Sequence, residues 1–218
     1  MALKTKIIQV GLIETNCYIV YDEEIRKCII IDPGAQADKI IRCMDELCVK
    51  PEAILLTHGH FDHILAVDDL RNKYNELKVY ALDKEEALLE SAELNLSQKF
   101  EVTITLNNVL YLKDNEVLNL MGHDINVIAT PGHTPGGCCY YIEDNGSLYS
   151  GDTLFCESYG RTDLPYGSMT EIVKSIAERL MPLPEETVVY PGHEMSTTIG
   201  HERKYNICNV IYQREMAK

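Results

Sequence analysis

The chain has 218 residues, of which 45% are hydrophobic, enough to fill the core of one globular domain. Its formal net charge is −14 and its pI is near 4.9. A surface that acidic, with no Lys/Arg run to offset it, repels phosphate backbones and excludes nucleic acid as an expected partner.

The opening "MALKTKIIQVGLIETN" has neither the long apolar core nor the small-residue cleavage site of a signal peptide, and no stretch of about 18 apolar residues suggests a membrane span. A cytoplasmic protein with no membrane partner is expected. The eight cysteines contain no CxxC, so free thiols are expected rather than disulfides, with Cys138 and Cys139 on opposite faces of one strand. Three short strands come first, "TKIIQVGL", "NCYIVYD" and "KCIIID", followed by a turn at "DPG". "AQADKIIRCMDELCVK" spaces Ile40, Ile41, Met44 and Leu47 as an amphipathic helix. "EAILLT" reads as a buried strand, and Asp62 as the N-cap of a helix over "HILAVDDLRNKY". "LKVYAL" is a strand and "DKEEALLESAELNL" a helix. Strands return at "NVLYL", "DINVIAT", "GCCYYIE" and "GSLYSG". A helix over "MTEIVKSIAERLM", a strand at "ETVVYP" and a closing helix from about residue 200 complete the chain. Residues 1–218 thus read as a single domain of two packed sheets with helices outside.

The histidines carry the chemistry. Three of the seven lie in "THGHFDH", and two more end strands in "INVIATPGH" and "ETVVYPGH". In an extended loop His58 and His60 project to the same side, roughly 6–7 Å apart, near enough to converge on one ion. Asp62 and His63, at the turn into the helix, point to a neighbouring position. A catalytic metal usually has three protein ligands and one open place. His133 and His193 each follow a strand and a glycine, as does Asp152 in "YSGDTLF", whose two oxygens can bridge two ions. The resulting assignment is His58, His60 and His133 for one metal, Asp62, His63 and His193 for a second, and Asp152 between them. His123 and His201 lack this context and read as surface or structural residues. Cys156 has no separate His–Asp pair to activate it and reads as a packing residue.

"THGHFDH", "PGHTPG", "SGDTLF" and "PGHE", in that order, with "TNCYIV" and "IIDPG" before them, resemble the metallo-β-lactamase fold superfamily over nearly the whole chain. "GDTLF" followed by "GRTDLPYGS", and "TTIGHERKYN", resemble its glyoxalase II-like hydrolases in their short bacterial form. The resemblance implies an αββα sandwich of two mixed sheets flanked by helices, with the metal site at one edge. It implies two divalent ions, zinc above all, with iron and manganese also fitting such ligands. It implies hydrolysis of small anionic thioesters of the hydroxyacylglutathione type by a metal-bound hydroxide, with Asp62 able to accept a proton from the attacking water. Arg161 matches the family's substrate-binding basic position, where a guanidinium can clamp a carboxylate. About 25 residues follow His193, fewer than the C-terminal helical domain with which the longer enzymes of that group grip glutathione.

The same motifs resemble iron-dependent persulfide dioxygenases, in which a single iron would be held by His58, His133 and Asp152. Lactonase, β-lactamase and phosphodiesterase chemistry are further options on this fold. A non-catalytic metal-binding protein is the alternative from a different class, and all seven ligands being present speaks against it.

Overall fold

The computed structural model describes residues 3–75 and 77–216. Its first sheet holds β1 (Lys4–Val10), β2 (Thr15–Asp22), β3 (Lys27–Ile31), β4 (Lys50–Leu55), β5 (Lys78–Leu82) and β6 (Leu110–Leu112), side by side in that order. β1, β2 and β3 pair antiparallel, and β3 through β6 pair parallel. The second sheet has β7 (Val117–Leu120), β8 (His123–Ala129), β9 (Cys138–Ile142) and β10 (Ser147–Gly151). After a small hairpin of β11 (Leu154–Phe155) and β12 (Ser158–Tyr159), β13 (Val188–Pro191) and β14 (Thr197–Thr198) complete it in the order β14-β13-β10-β9-β8-β7. Both large sheets therefore mix parallel and antiparallel pairs, because β10 and β13 run parallel while the other neighbours in the second sheet do not.

Burial explains why the sheets stack. Every residue of β2 is buried. Tyr18 and Val20 face the second sheet, where they join Ile29, Ile31 and Leu55 against Val127, Cys138, Tyr140 and Tyr149. Cys17, Ile19 and Tyr21 face the other way, toward Ile40 and Met44 of α1 (Ala37–Glu46). After α2 (Phe61–Ile64), Val67 and Leu70 of α3 (Val67–Lys73) cover the same face. On the far side of the second sheet lies α5 (Met169–Ser175), beyond a short α4 (Glu86–Leu89). Its Ile172 and Val173, with Ile176 of the π turn that continues it, pack on Ile128, Cys139, Tyr141 and Leu148. Each such aliphatic side chain contributes roughly 1.5–3 kcal/mol when fully buried. The product is the expected αββα sandwich. Cys138 and Cys139 do face opposite sides of β9, and all eight cysteines are free. No helix among the described residues is long and apolar enough to cross a membrane.

Three expected helices differ. The run 83–96 yields only a 3-10 turn at Asp83–Glu85 and the single turn of α4. Beyond it the Ser91 hydroxyl accepts the Leu94 N–H and Asn95 Oδ1 accepts the Ser97 N–H, local bonds that compete with helix. Asp62 is not an N-cap: His60, extended at φ −65°, holds that place, and Asp62 sits inside the first turn of α2. The C-terminal helix is two, α6 (Ile199–Tyr205) and α7 (Ile207–Met216), broken at Asn206. The Asn206 side chain there donates to Glu202 and to the Ser158 carbonyl, and accepts the Cys208 N–H.

Candidate metal centre

Strand direction gathers the ligands. β10 and β13 run parallel, and β8 shares their direction through antiparallel β9. Their C-terminal ends release His133, Asp152 and His193 at one edge of the second sheet. β4 releases His58 and His60 at the same edge of the first, and α2 adds Asp62 and His63. The two sheets are tied there: the Cys138 N–H donates to the Thr57 carbonyl at 2.9 Å.

The structure brings all seven residues together. His58, His60 and His133 offer ligand atoms within 4.8 Å of one another, and Asp62, His63 and His193 form a second such set. Asp152 lies between the sets. Its Oδ2 is 3.5 Å from His133 Nε2 and 3.6 Å from His193 Nε2, and its Oδ1 is 3.5 Å from His63 Nε2. Asp62 Oδ2 lies 3.4 Å from His63 Nε2 and 3.3 Å from His193 Nε2.

Proton positions follow from the outer hydrogen bonds. Thr57 donates its hydroxyl to Asp32 Oδ2 at 2.6 Å, so its oxygen accepts the Nδ1–H of His58 at 3.2 Å. His63 donates Nδ1–H to Asp32 Oδ2 at 3.0 Å. His133 donates to the Arg161 carbonyl at 2.7 Å and His193 to the Ile13 carbonyl at 3.2 Å. Each of these rings turns its Nε2 inward, and that nitrogen is bare whenever the ring is neutral, the form in which it can bind a cation. His60 Nδ1 meets the bare Nε2 of His133 at 3.0 Å. Among buried atoms without a hydrogen-bond partner are His58 Nε2, His63 Nε2 and Asp152 Oδ1. Buried lone pairs converging with no donor between them are costly unless a cation fills the gap. The residues fit two divalent ions. Asp32, His58 and His63 also lie within 4.8 Å of one another, but both Asp32 oxygens already accept bonds from Thr57 and His63. Asp32 therefore orients ligands rather than joining them.

Charge in the ion-free site follows burial. Burial and the neighbouring rings hold the His58 pKa well below its ordinary value and that of His60 down at about 3. Burial also opposes charge on His63, but the Asp62, Asp152 and Asp32 carboxylates outweigh it and raise the group to about 10. Burial opposes charge on Asp62 too, yet His63, His193 and the Thr15 hydroxyl bring its carboxyl well below the usual range. One half of the centre favours neutral donors and the other a cation paired with carboxylates.

Residues 10–193 match the family described as the metallo-beta-lactamase superfamily. The chain belongs to the metallo-β-lactamase superfamily. It is 39% identical over 207 residues to the probable metallo-hydrolase YqgX of Bacillus subtilis, covering 94% of this chain and 96% of the relative. It is 30% identical to the hydroxyacylglutathione hydrolase GloC of Haemophilus influenzae, covering 94% and 97%. Among solved structures, the B3 metallo-beta-lactamase BLEG-1 superposes with a TM-score of 0.88 at 40% identity, over 94% of this chain and 98% of that one. TTHA1623 in a di-iron-bound form gives 0.82 at 34%, over 93% and 98%.

In this superfamily member, several residues that frame the site carried no predicted role. Thr15 donates its hydroxyl to Asp62 Oδ2 at 3.0 Å. Buried Asn16 donates its side-chain amide to the Pro191 and Glu194 carbonyls and its backbone N–H to Gly192, holding the loop that presents His193. Both stand in "TNCYIV" and Asp32 in "IIDPG", stretches that marked the family without revealing their contacts. Gly192 has a steric reason: a Cβ there would run into Asp152 Oδ1 and His63 Cε1.

Glu85 had no sequence signal, being one acid in a run expected to form an amphipathic helix. It is fully buried and accepts the Gly59 N–H at 2.9 Å and the Thr134 hydroxyl at 3.1 Å, with the Gly136 N–H as a third donor. It thus ties the His58–His60 loop to the loop bearing His133. Burial pushes its carboxyl up to about 7 against the pull of those donors. The Arg161 backbone carbonyl orients His133. Its guanidinium is exposed and gives the bidentate clamp foreseen for a substrate to Asp163, with both bonds at 2.7 Å.

Proposed function

We propose that the chain is a dinuclear metallo-hydrolase whose substrates are small anionic thioesters of the hydroxyacylglutathione type. The observation that carries the metal-dependent reading is the pair of three-ligand sets joined by Asp152, with three inward atoms left without partners. The thioester specificity is supported by 30% identity to GloC over almost the full length of both chains.

Two divalent ions held there would supply a water with a pKa of about 7 and a Lewis acid for the scissile carbonyl. His58, His60 and His133 would hold one ion and Asp62, His63 and His193 the other, with Asp152 shared. Asp62, ionised at neutral pH, is the base placed to take a proton from the attacking water. Asp32 and Thr57 fix the rings so that their lone pairs do not turn away during turnover. Arg161 would receive a substrate carboxylate in exchange for Asp163, since an exposed, solvent-screened pair is readily displaced. Small anions suit the centre: ions of total charge +4 against Asp62 and Asp152 leave it positive beneath an acidic surface.

The test is a substrate panel on protein loaded with zinc, iron or manganese: S-lactoylglutathione, a lactone, a β-lactam and glutathione persulfide with oxygen consumption followed. Thioester turnover that exceeds the rest and is lost in His58→Ala supports the proposal. Oxygen uptake without thioester hydrolysis would assign the persulfide reaction instead. The complete second set, Asp62, His63 and His193, favours the dinuclear hydrolase over a mononuclear site.

A further inference from the structure

A second group of metal-ligating residues lies outside the centre. The hairpin β11–β12 turns on Cys156 and Glu157, since Phe155 pairs with Ser158. Opposite that turn, the first turn of α6 presents His201. Cys156 Sγ, a Glu157 carboxylate oxygen and a His201 ring nitrogen lie within 4.8 Å of one another. His201 Nε2 is 2.9 Å from Glu157 Oε1. Ligand distances of about 2.0–2.3 Å place the ligand atoms of one tetrahedral ion roughly 3.3–3.8 Å apart, so modest side-chain movement closes the set around an ion.

Two independent features indicate that the arrangement is built. First, the hairpin turn uses residues it does not favour. Glu157 has φ +57°, a conformation that two-residue hairpin loops usually assign to Gly or Asn. Second, the two segments are fastened together. Glu202, fully buried, accepts the Glu157 N–H at 2.9 Å, the Thr197 hydroxyl at 2.6 Å and the Asn206 amide at 2.7 Å. Asn206 also donates to the Ser158 carbonyl at 2.9 Å. The backbone segments that carry the donors are thus held together by a buried network.

We propose that Cys156, Glu157 and His201 form a separate metal position for one zinc-type ion, with its fourth place open to solvent. A thiolate, an imidazole and a carboxylate suit zinc and its borderline-soft neighbours, whereas the seven-residue centre offers only nitrogen and oxygen. On binding, the Cys156 thiol forms a bond to the ion and passes its proton to the buffer. The site lies at the rim of the main centre, because the Phe155 ring preceding Cys156 is centred 6.3 Å from that of His193. A bound ion would lock the hairpin carrying Phe155 against α6.

Cobalt(II) distinguishes the two sites, since a sulfur-to-cobalt charge-transfer band in the near ultraviolet requires a thiolate ligand. The full chain titrated with Co2+ should show that band, and the same chain with Zn2+ should bind one more equivalent than Cys156→Ser. Cys156→Ser should lose the band while keeping the visible bands of cobalt in the nitrogen and oxygen site, and His201→Ala should weaken the sulfur band at least tenfold. Absence of the band at saturating Co2+ would overturn the proposal and leave a His201–Glu157 ion pair beside a thiol. Persistence of the band in Cys156→Ser would overturn it equally, by assigning the sulfur to another cysteine.

Discussion

Asp32 serves both ligand sets with one carboxylate. Oδ1 takes the Thr57 N–H, and Oδ2 takes the Thr57 hydroxyl and the His63 Nδ1–H. Asp32→Asn keeps the size but sets an NH2 group against one of those donors. The metal affinity should fall by about 10–100-fold, measured by competition with a chromophoric chelator; an unchanged affinity would remove Asp32 from the ligand-orienting role. Glu85 makes a pH prediction for the ion-free protein, where no nearby cation stabilises its charge. Its carboxyl rises from 4.5 to about 7 on folding. Between those values the folded chain keeps a proton that the unfolded chain has lost, so stability from this group is complete below about pH 4.5 and falls as pH rises to 7, by roughly 3 kcal/mol in all. Denaturant unfolding of the chelated wild type and Glu85→Gln should show their stability difference moving toward the variant by that amount across the window, and a flat difference would refute the assignment. At this scale sequence singled out the seven residues that the fold brings together, because imidazoles at strand ends are scarce. It missed Thr15, Asn16, Asp32, Thr57 and Glu85 because ordinary polar residues become informative only when their burial and partners are known.

The elements that deliver the ligands are short loops braced by other loops. Asn16, at the start of β2, bonds the Pro191 and Glu194 carbonyls on either side of His193. Asn16→Ala would leave buried acceptors unpaired at a cost of about 1–3 kcal/mol. The melting temperature should drop by several degrees, and substoichiometric metal analysis should show about one ion lost before the other, since His193 belongs to one set only. Retention of both ions with full stability would show the brace to be dispensable. Elements with strong periodicity were legible: α1, the three opening strands and β13 stand within a few residues of their expected places. The run 83–96 was not, because its helical pattern was outweighed by the inward turn of Glu85 and the local bonds of Ser91 and Asn95. The β7 and β11–β12 hairpin strands also escaped notice, being four residues or fewer with no clear alternation.

Across the whole molecule, the first sheet and α2 provide His58, His60, Asp62 and His63, and the second sheet provides His133, Asp152 and His193. Ions gripped by both halves, as proposed, would bind the folded chain alone and would stabilise it by mass action, about 4 kcal/mol when free metal exceeds the dissociation constant a thousandfold. For a chain of this length that corresponds to a loss of roughly 10 °C in melting temperature on chelation, restored by zinc, iron or manganese; a midpoint indifferent to chelator would contradict ligation from both sheets. The αββα layering and the mixed character of both sheets were foreseen from the resemblance, whereas which strands pair depended on an order that a linear pattern does not encode. His193 follows β13, while His58 follows β4, more than a hundred residues earlier in the chain. A nascent chain still threading the ribosome exit tunnel with β13 inside has no complete pair of ligand sets to offer. The second ligand set is therefore complete only after β13 has joined the second sheet.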